Sequence, residues 1–159
     1  MRLLHLFLLS LLLMCGEARA QQTDGYAFFA AGGVSPSLGA SRRYQIGGGF
    51  EGIFVHGIGA GAEIGAMGTS FTHSVFGLFS ANGYYHVLPH RKIDPFATAG
   101  YSLAFGLSAG NLFNYGFGAN YWFRRSLGLK AEFRDYLWPT EFANRNYWGF
   151  RVGLAFRSE

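Results

Sequence analysis

Charge is scarce in this chain, and so are cysteine and proline. Only 14% of its 159 residues are Asp, Glu, Lys or Arg, and it holds one Cys and 4 Pro. One cysteine excludes an internal disulfide scaffold and a Cys-ligated zinc ribbon. A soluble domain carries about 25% charged residues, so the shortfall leaves little ionic surface to keep this chain in water. Disorder is excluded by the opposite count, since 17 Phe, 9 Tyr and 3 Trp stand beside a net charge of only +4, far more apolar rings than an unfolded chain contains. The excess of 13 basic over 9 acidic residues is too small and scattered for a nucleic-acid footprint. What abounds is glycine, at 24, and apolar side chains, at 50%. That composition points to lipid as the solvent.

The first twenty residues read as a secretory signal peptide. Arg2 supplies a positive start, Leu3 to Cys15 is almost wholly apolar, and Ala18-Arg19-Ala20 is a small-residue cleavage site. The apolar run falls short of the roughly 20 residues a spanning helix needs. Cleavage after Ala20 would leave 21–159 as one domain, with no cysteine. The lipoprotein alternative, with Cys15 acylated, would need a small residue where Met14 stands.

Two long stretches, Ile64 to His90 and Phe96 to Phe123, lack Asp, Glu, Lys and Arg and match membrane helices in length. Their glycines and asparagines disfavour a helix, and their large residues recur at every second position. Phe113, Tyr115, Phe117, Ala119, Tyr121 and Phe123 alternate with Asn114, Gly116, Gly118, Asn120 and one bulky Trp122. Similar alternation marks Tyr26 to Val34, Tyr44 to Phe54, Gly57 to Met67, Val75 to Val87, Pro95 to Phe105, Leu127 to Arg134 and Trp148 to Phe156. Eight strands of about 10 residues suit a membrane barrel. The predicted fold is an all-β, eight-stranded antiparallel up-and-down transmembrane β-barrel.

The sense of the alternation chooses between solvents. A soluble barrel hides its apolar face; a membrane barrel turns it outward and fills its interior with small and polar groups. Here the second face holds Gln45, Gly47, Gly49 and Glu51, then Gly59, Gly61, Glu63 and Gly65, then Ser80, Asn82, Tyr84 and His86. Lys130, Glu132, Arg134 and Arg151 complete it. Three acids (Glu51, Glu63, Glu132) balance three bases (Lys130, Arg134, Arg151), which predicts an ion-pair network in the lumen; the alternative sets some of them at the rim, in water. Tyr26, Tyr85, Tyr121, Trp122, Trp138, Tyr147 and Trp148 fall near strand ends and are read as aromatic girdles at the two membrane interfaces.

The leader, the eight alternating strands and the closing Trp148-Gly149-Phe150-Arg151-Val152-Gly153-Leu154-Ala155-Phe156 resemble the small outer-membrane barrels of the OmpA/OmpX type. Asp94-Pro95-Phe96-Ala97-Thr98-Ala99-Gly100-Tyr101 is similar to a proline-aromatic strand start common among them. The resemblance implies an outer-membrane location and a C-terminal assembly signal of Val152, Leu154 and Phe156 read by the barrel-assembly machinery. Here Arg157-Ser158-Glu159 follows that aromatic. It also implies termini facing the periplasm, with outer loops at Ser35 to Arg43, Gly68 to Ser74, Gly106 to Gly110 and Leu137 to Asn146. In those loops Arg42, Arg43 and Arg145 could contact lipopolysaccharide phosphates; the alternative is a solvated basic loop.

Catalytic and metal signals are weak. Some barrels of this kind modify lipid A with His and Ser, but His73 and Ser74 are adjacent and point to opposite faces of a strand. His56, His86 and His90 read as isolated histidines, with no metal-ligand spacing. No cofactor is expected. The leading expectation is a monomeric barrel with a structural or membrane-integrity role, embedded in outer-membrane lipid. A narrow pore through the glycine-rich lumen and a lipid A-modifying enzyme are the alternatives.

Overall fold

The computed structural model describes residues 20–35, 42–70, 75–106, 109–139 and 145–158. The expected leader up to residue 19, much of the four expected outer loops, and His73 with Ser74 lie outside the described residues.

Eight strands follow one another: β1 (Gln22–Ser35), β2 (Arg42–Ile53), β3 (Ile58–Thr69), β4 (Val75–His86), β5 (Ile93–Gly106), β6 (Gly110–Trp122), β7 (Leu127–Trp138) and β8 (Arg145–Ser158). Each pairs antiparallel with the next, and β1 pairs with β8 from Thr23↔Ser158 to Ser35↔Asn146, closing the barrel. Closure matters because hydrocarbon offers no partner for backbone N–H and C=O groups, so no sheet edge can be left open. Most strands run a few residues beyond the alternating stretches seen in the sequence. Ladder pairing continues where the apolar pattern has stopped, as in β7, which reaches Trp138 through Asp135 and Tyr136.

Three tight connections, at 54–57, 87–92 and 123–126, lie at the end that carries both Gln22 and Ser158. In the first, His56 (φ 59°) and Gly57 (φ 78°) turn the chain through left-handed geometry. A side chain at Gly57 would also strike the backbone of His86, its Cβ 3.1 Å from the carbonyl carbon, so glycine is required there.

The strand pleat sorts the side chains into two solvents. Lumen positions are even in β1, β4, β5, β6 and β7 and odd in β2, β3 and β8. The outward face is apolar and open: Phe117 is 65% exposed, Phe150 and Ile46 64%, and Val152 59%. No helix among the described residues is long and apolar enough to cross a membrane; the crossing elements are strands. Of the expected girdle residues Tyr85, Tyr121 and Trp148 face outward near strand ends, whereas four others do not. Tyr26, Trp122 and Tyr147 are buried in the lumen, and Trp138 packs against a buried cluster at the opposite mouth. Near the strand ends both faces carry large residues, and the lumen needs bulk to fill it.

Because Phe117 lies in the middle of β6 on the lipid face, Phe117→Arg should lower unfolding free energy in lipid vesicles by about 2–4 kcal/mol. Denaturant titration in vesicles measures this, and an unshifted midpoint would contradict the lipid-facing assignment.

Candidate functional site

The distinctive chemistry sits inside the barrel. Glu132 on β7 and Arg151 on β8 are cross-strand partners, and Arg134 is two residues along β7 on the same face. From across the lumen β3 supplies Glu63, opposite Gly49 of β2. A Cβ at Gly49 would lie 3.0 Å from Glu63 Cγ and from the Tyr26 hydroxyl, so the missing side chain makes the space these groups fill.

Two guanidinium groups and two carboxylates meet there. Arg151 forks onto Glu63, donating from Nη2 to Oε1 at 2.8 Å and from Nη1 to Oε2 at 3.1 Å, and lies 3.4 Å from Glu132. Arg134 binds Glu132 through Nε and lies 3.4 Å from Glu63. Its Nη1 also donates to Asn114 Oδ1 at 3.1 Å, and the Tyr26 hydroxyl donates to Glu63 at 3.0 Å. Forked, charge-assisted bonds of this kind offset the cost of taking ions out of water.

A second cluster lies nearer the chain termini. Lys130 Nζ donates to both oxygens of Glu51 at 2.9 Å and sits over the rings of Phe96 and Tyr26 at 4.1 and 4.5 Å. His86, expected to be isolated, is not: its Nδ1 is 2.7 Å from Asp94 Oδ2 and its Nε2 is 3.8 Å from Glu51. At the mouth Arg157 stacks on Trp122 at 3.8 Å and lies 3.3 Å from Asp24, which accepts from the Gln22 amide at 2.8 and 2.9 Å. The structure thus brings together all six residues of the expected network. Tyr26 joins its two halves, its hydroxyl on Glu63 and its ring against Lys130. The sequence reading missed Asp24, Asp94 and Arg157, which lie beyond the clean alternation.

The opposite end of the lumen is largely apolar, contrary to the expectation of a polar interior throughout. Met67, Phe76, Leu78, Ala104, Leu112, Tyr136 and Tyr147 form a buried plug, with Val34 and Trp138 packed against it. Arg43 also belongs to the lumen and not to a lipopolysaccharide-facing loop. It is fully buried, donates from Nη1 to the Tyr147 carbonyl at 2.6 Å, bonds Gln45, and faces the Tyr136 ring at 4.8 Å. β2 begins at Arg42, so successive residues point to opposite faces and only Arg42 is exposed. Arg145 is exposed at the start of β8. Val152, Leu154 and Phe156 face outward, 59%, 47% and 51% exposed. A void of about 10 Å³ remains among Tyr26, Phe28, Lys130, Glu132 and Arg151, room for about one water molecule. Among the described residues no group of three or more His, Cys, Asp or Glu is placed to hold a metal ion.

No protein-family model and no curated protein matches the chain in sequence. Its backbone matches solved structures. The N-terminal β-barrel domain of Pseudomonas aeruginosa OprF superposes with a TM-score of 0.64 at 18% identity, over 89% of this chain and 100% of that one. Neisserial surface protein A gives 0.59 at 16% identity, over 88% and 97%. Ail, the attachment invasion locus protein of Yersinia pestis, gives 0.53 at 10% identity, over 86% and 97%. The shared feature is the fold, that of the small eight-stranded membrane barrels.

Removing one carboxylate strands the cations bound to it. Glu63→Ala, which takes a partner from both Arg134 and Arg151, should destabilise the barrel by about 3–5 kcal/mol, and Glu132→Ala should lower its melting temperature in detergent. Arg42→Ala, at an exposed site, should stay within about 0.5 kcal/mol of the parent. Parallel denaturation of the three variants checks this ordering; equal stabilities would remove the lumen network from the account.

Proposed function

We propose that this chain is an integral outer-membrane barrel protein with a structural, membrane-supporting role, and that its lumen neither conducts nor catalyses. The observation that carries the reading is the filled interior: a largely apolar plug closes one end, and ion pairs together with hydrogen-bonded Ser and Asn side chains fill the rest. In this reading the leader directs export and is removed after Ala20, and the end with the tight turns faces the periplasm. The outward apolar side chains of Val152, Leu154 and Phe156 serve recognition by the barrel-assembly machinery. Arg42 and Arg145, exposed at the other end, meet lipopolysaccharide phosphates. The barrel works as a monomer, because its strand ladder is already closed.

Planar-bilayer recording separates this reading from the narrow pore. The folded protein should give a silent bilayer, and reproducible single-channel steps would overturn the closed-lumen reading. Unaltered lipid A acylation in cells producing the protein is the matching expectation for the absence of enzyme activity.

A further inference from the structure

All six described carboxylates, Asp24, Glu51, Glu63, Asp94, Glu132 and Asp135, are buried. The exposed ionic surface of the described residues is therefore cationic throughout, and it is unevenly spread. Arg91 and Lys92 lie exposed in the turn between β4 and β5, and Arg124 and Arg125 in the turn between β6 and β7. These turns are neighbours in space, because Trp122 N donates to the Lys92 carbonyl at 2.8 Å. Four cations thus form one patch at the end that carries the chain termini.

The patch is bordered by membrane-facing surface. Ile93, Tyr121 and Phe123 are 55%, 42% and 44% exposed directly beside it. Lys92 Nζ lies 5.4 Å from the centre of the Tyr121 ring, an outward ring at the edge of the apolar belt. The cations are therefore held at headgroup level, where apolar side chains end and water begins. A soluble acidic partner would have no use for that apolar border, whereas a phospholipid fits both parts, its acyl chains against the rings and its phosphate among the cations.

We propose that this patch binds the phosphate of anionic phospholipids in the leaflet at the terminus end, and so gives the barrel a preferred lipid shell on that side. The proposal rests on the membrane reading above and places the lipid in the periplasmic leaflet in that orientation.

The test compares the wild type with R91Q/K92Q/R124Q/R125Q. Both are folded into phosphatidylcholine vesicles carrying spin-labelled phosphatidylglycerol or spin-labelled phosphatidylcholine, and the spectra give the share of each label immobilised on the barrel. The wild type should hold the phosphatidylglycerol label at least about fivefold more strongly, the factor that one surface cation contributes against an anionic leaflet. The preference should fall to near parity in the variant, and also in the wild type at high salt, which screens exposed charge without any substitution. Inorganic phosphate replacing chloride at equal ionic strength should leave it intact; its loss would make a free anion the ligand and overturn the proposal. Equal retention of both labels by the wild type, or a preference the variant keeps, would overturn it too. So would capture of the wild type by soluble polyglutamate without a lipid preference, which would assign the patch to an acidic polymer. An unboiled-against-boiled gel of the same samples reports the closed barrel separately. A wild type that shows no lipid preference while its gel shift is intact counts against the patch alone; loss of the shift overturns the membrane reading and the patch with it.

Discussion

An ionised carboxylate facing hydrocarbon is among the most costly placements a membrane protein can make, and the distribution of acids in this barrel follows from avoiding it. Five of the six described acids point into the lumen, where Lys130, Arg134, Arg151, Arg157 and His86 meet them. The sixth shows the constraint at work from the other side. Asp135 sits on the outward face of β7, yet it is only 6% exposed, because Tyr115 and Asn146 donate to its Oδ2 at 3.0 and 3.3 Å. Where parity puts an acid on the wrong face, neighbouring strands cover it.

Charge balance and space-filling then shape the interior together. Eight strands enclose a lumen only wide enough for side chains, so large groups must interleave with absent ones. Gly49 gives way to Glu63 and Tyr26, and the forked contact of Arg151 depends on that clearance. The plug at the other mouth is built mainly by apolar packing, and the one cation buried against it, Arg43, is held by the Tyr147 carbonyl, Gln45 and the face of Tyr136. A lumen built from these two tiers is a rigid core turned inside out relative to a soluble domain, which suits a structural role better than transport. Of the exposed cations among the described residues, Arg91, Lys92, Arg124 and Arg125 gather at the end that carries the termini, facing the surroundings of the barrel.

Strand number, strand order and the facing of nearly every residue were legible in the sequence, because a period of two survives in any strand that separates two solvents. The six network residues were legible for the same reason, each standing on the small, polar face between apolar neighbours. Legibility failed where both faces are large. Phe76 and Leu78 share the parity of Ser80, Asn82 and His86, but their size matches that of outward Val75 and Phe79, so nothing in the local pattern shows that this end of the lumen is packed as an apolar plug. Tyr26, Trp122 and Tyr147 resemble girdle aromatics in type and in their place near strand ends, although Trp122 already shares the parity of Asn114, Gly116 and Asn120; size and position outweigh parity there. The His86–Asp94 pair spans a turn and depends on register, and Arg43 reads as a loop residue in the sequence because the clean alternation starts only at Tyr44, two residues after β2 begins. Which partners these residues meet depends on register and closure, which the one-dimensional pattern does not carry.

The central claim is that the apolar face is the outer one and that the polar face is sealed from lipid. Photolabelling the folded protein in vesicles with a hydrophobic carbene precursor, followed by residue-resolved mass spectrometry along β6 and β8, tests it most directly. The account predicts a period of two, with label on Phe113, Tyr115, Phe117, Phe150 and Val152 and none on Asn114, Gly116 or Arg151. Uniform labelling of both faces, or label on the even positions of β6, would contradict it.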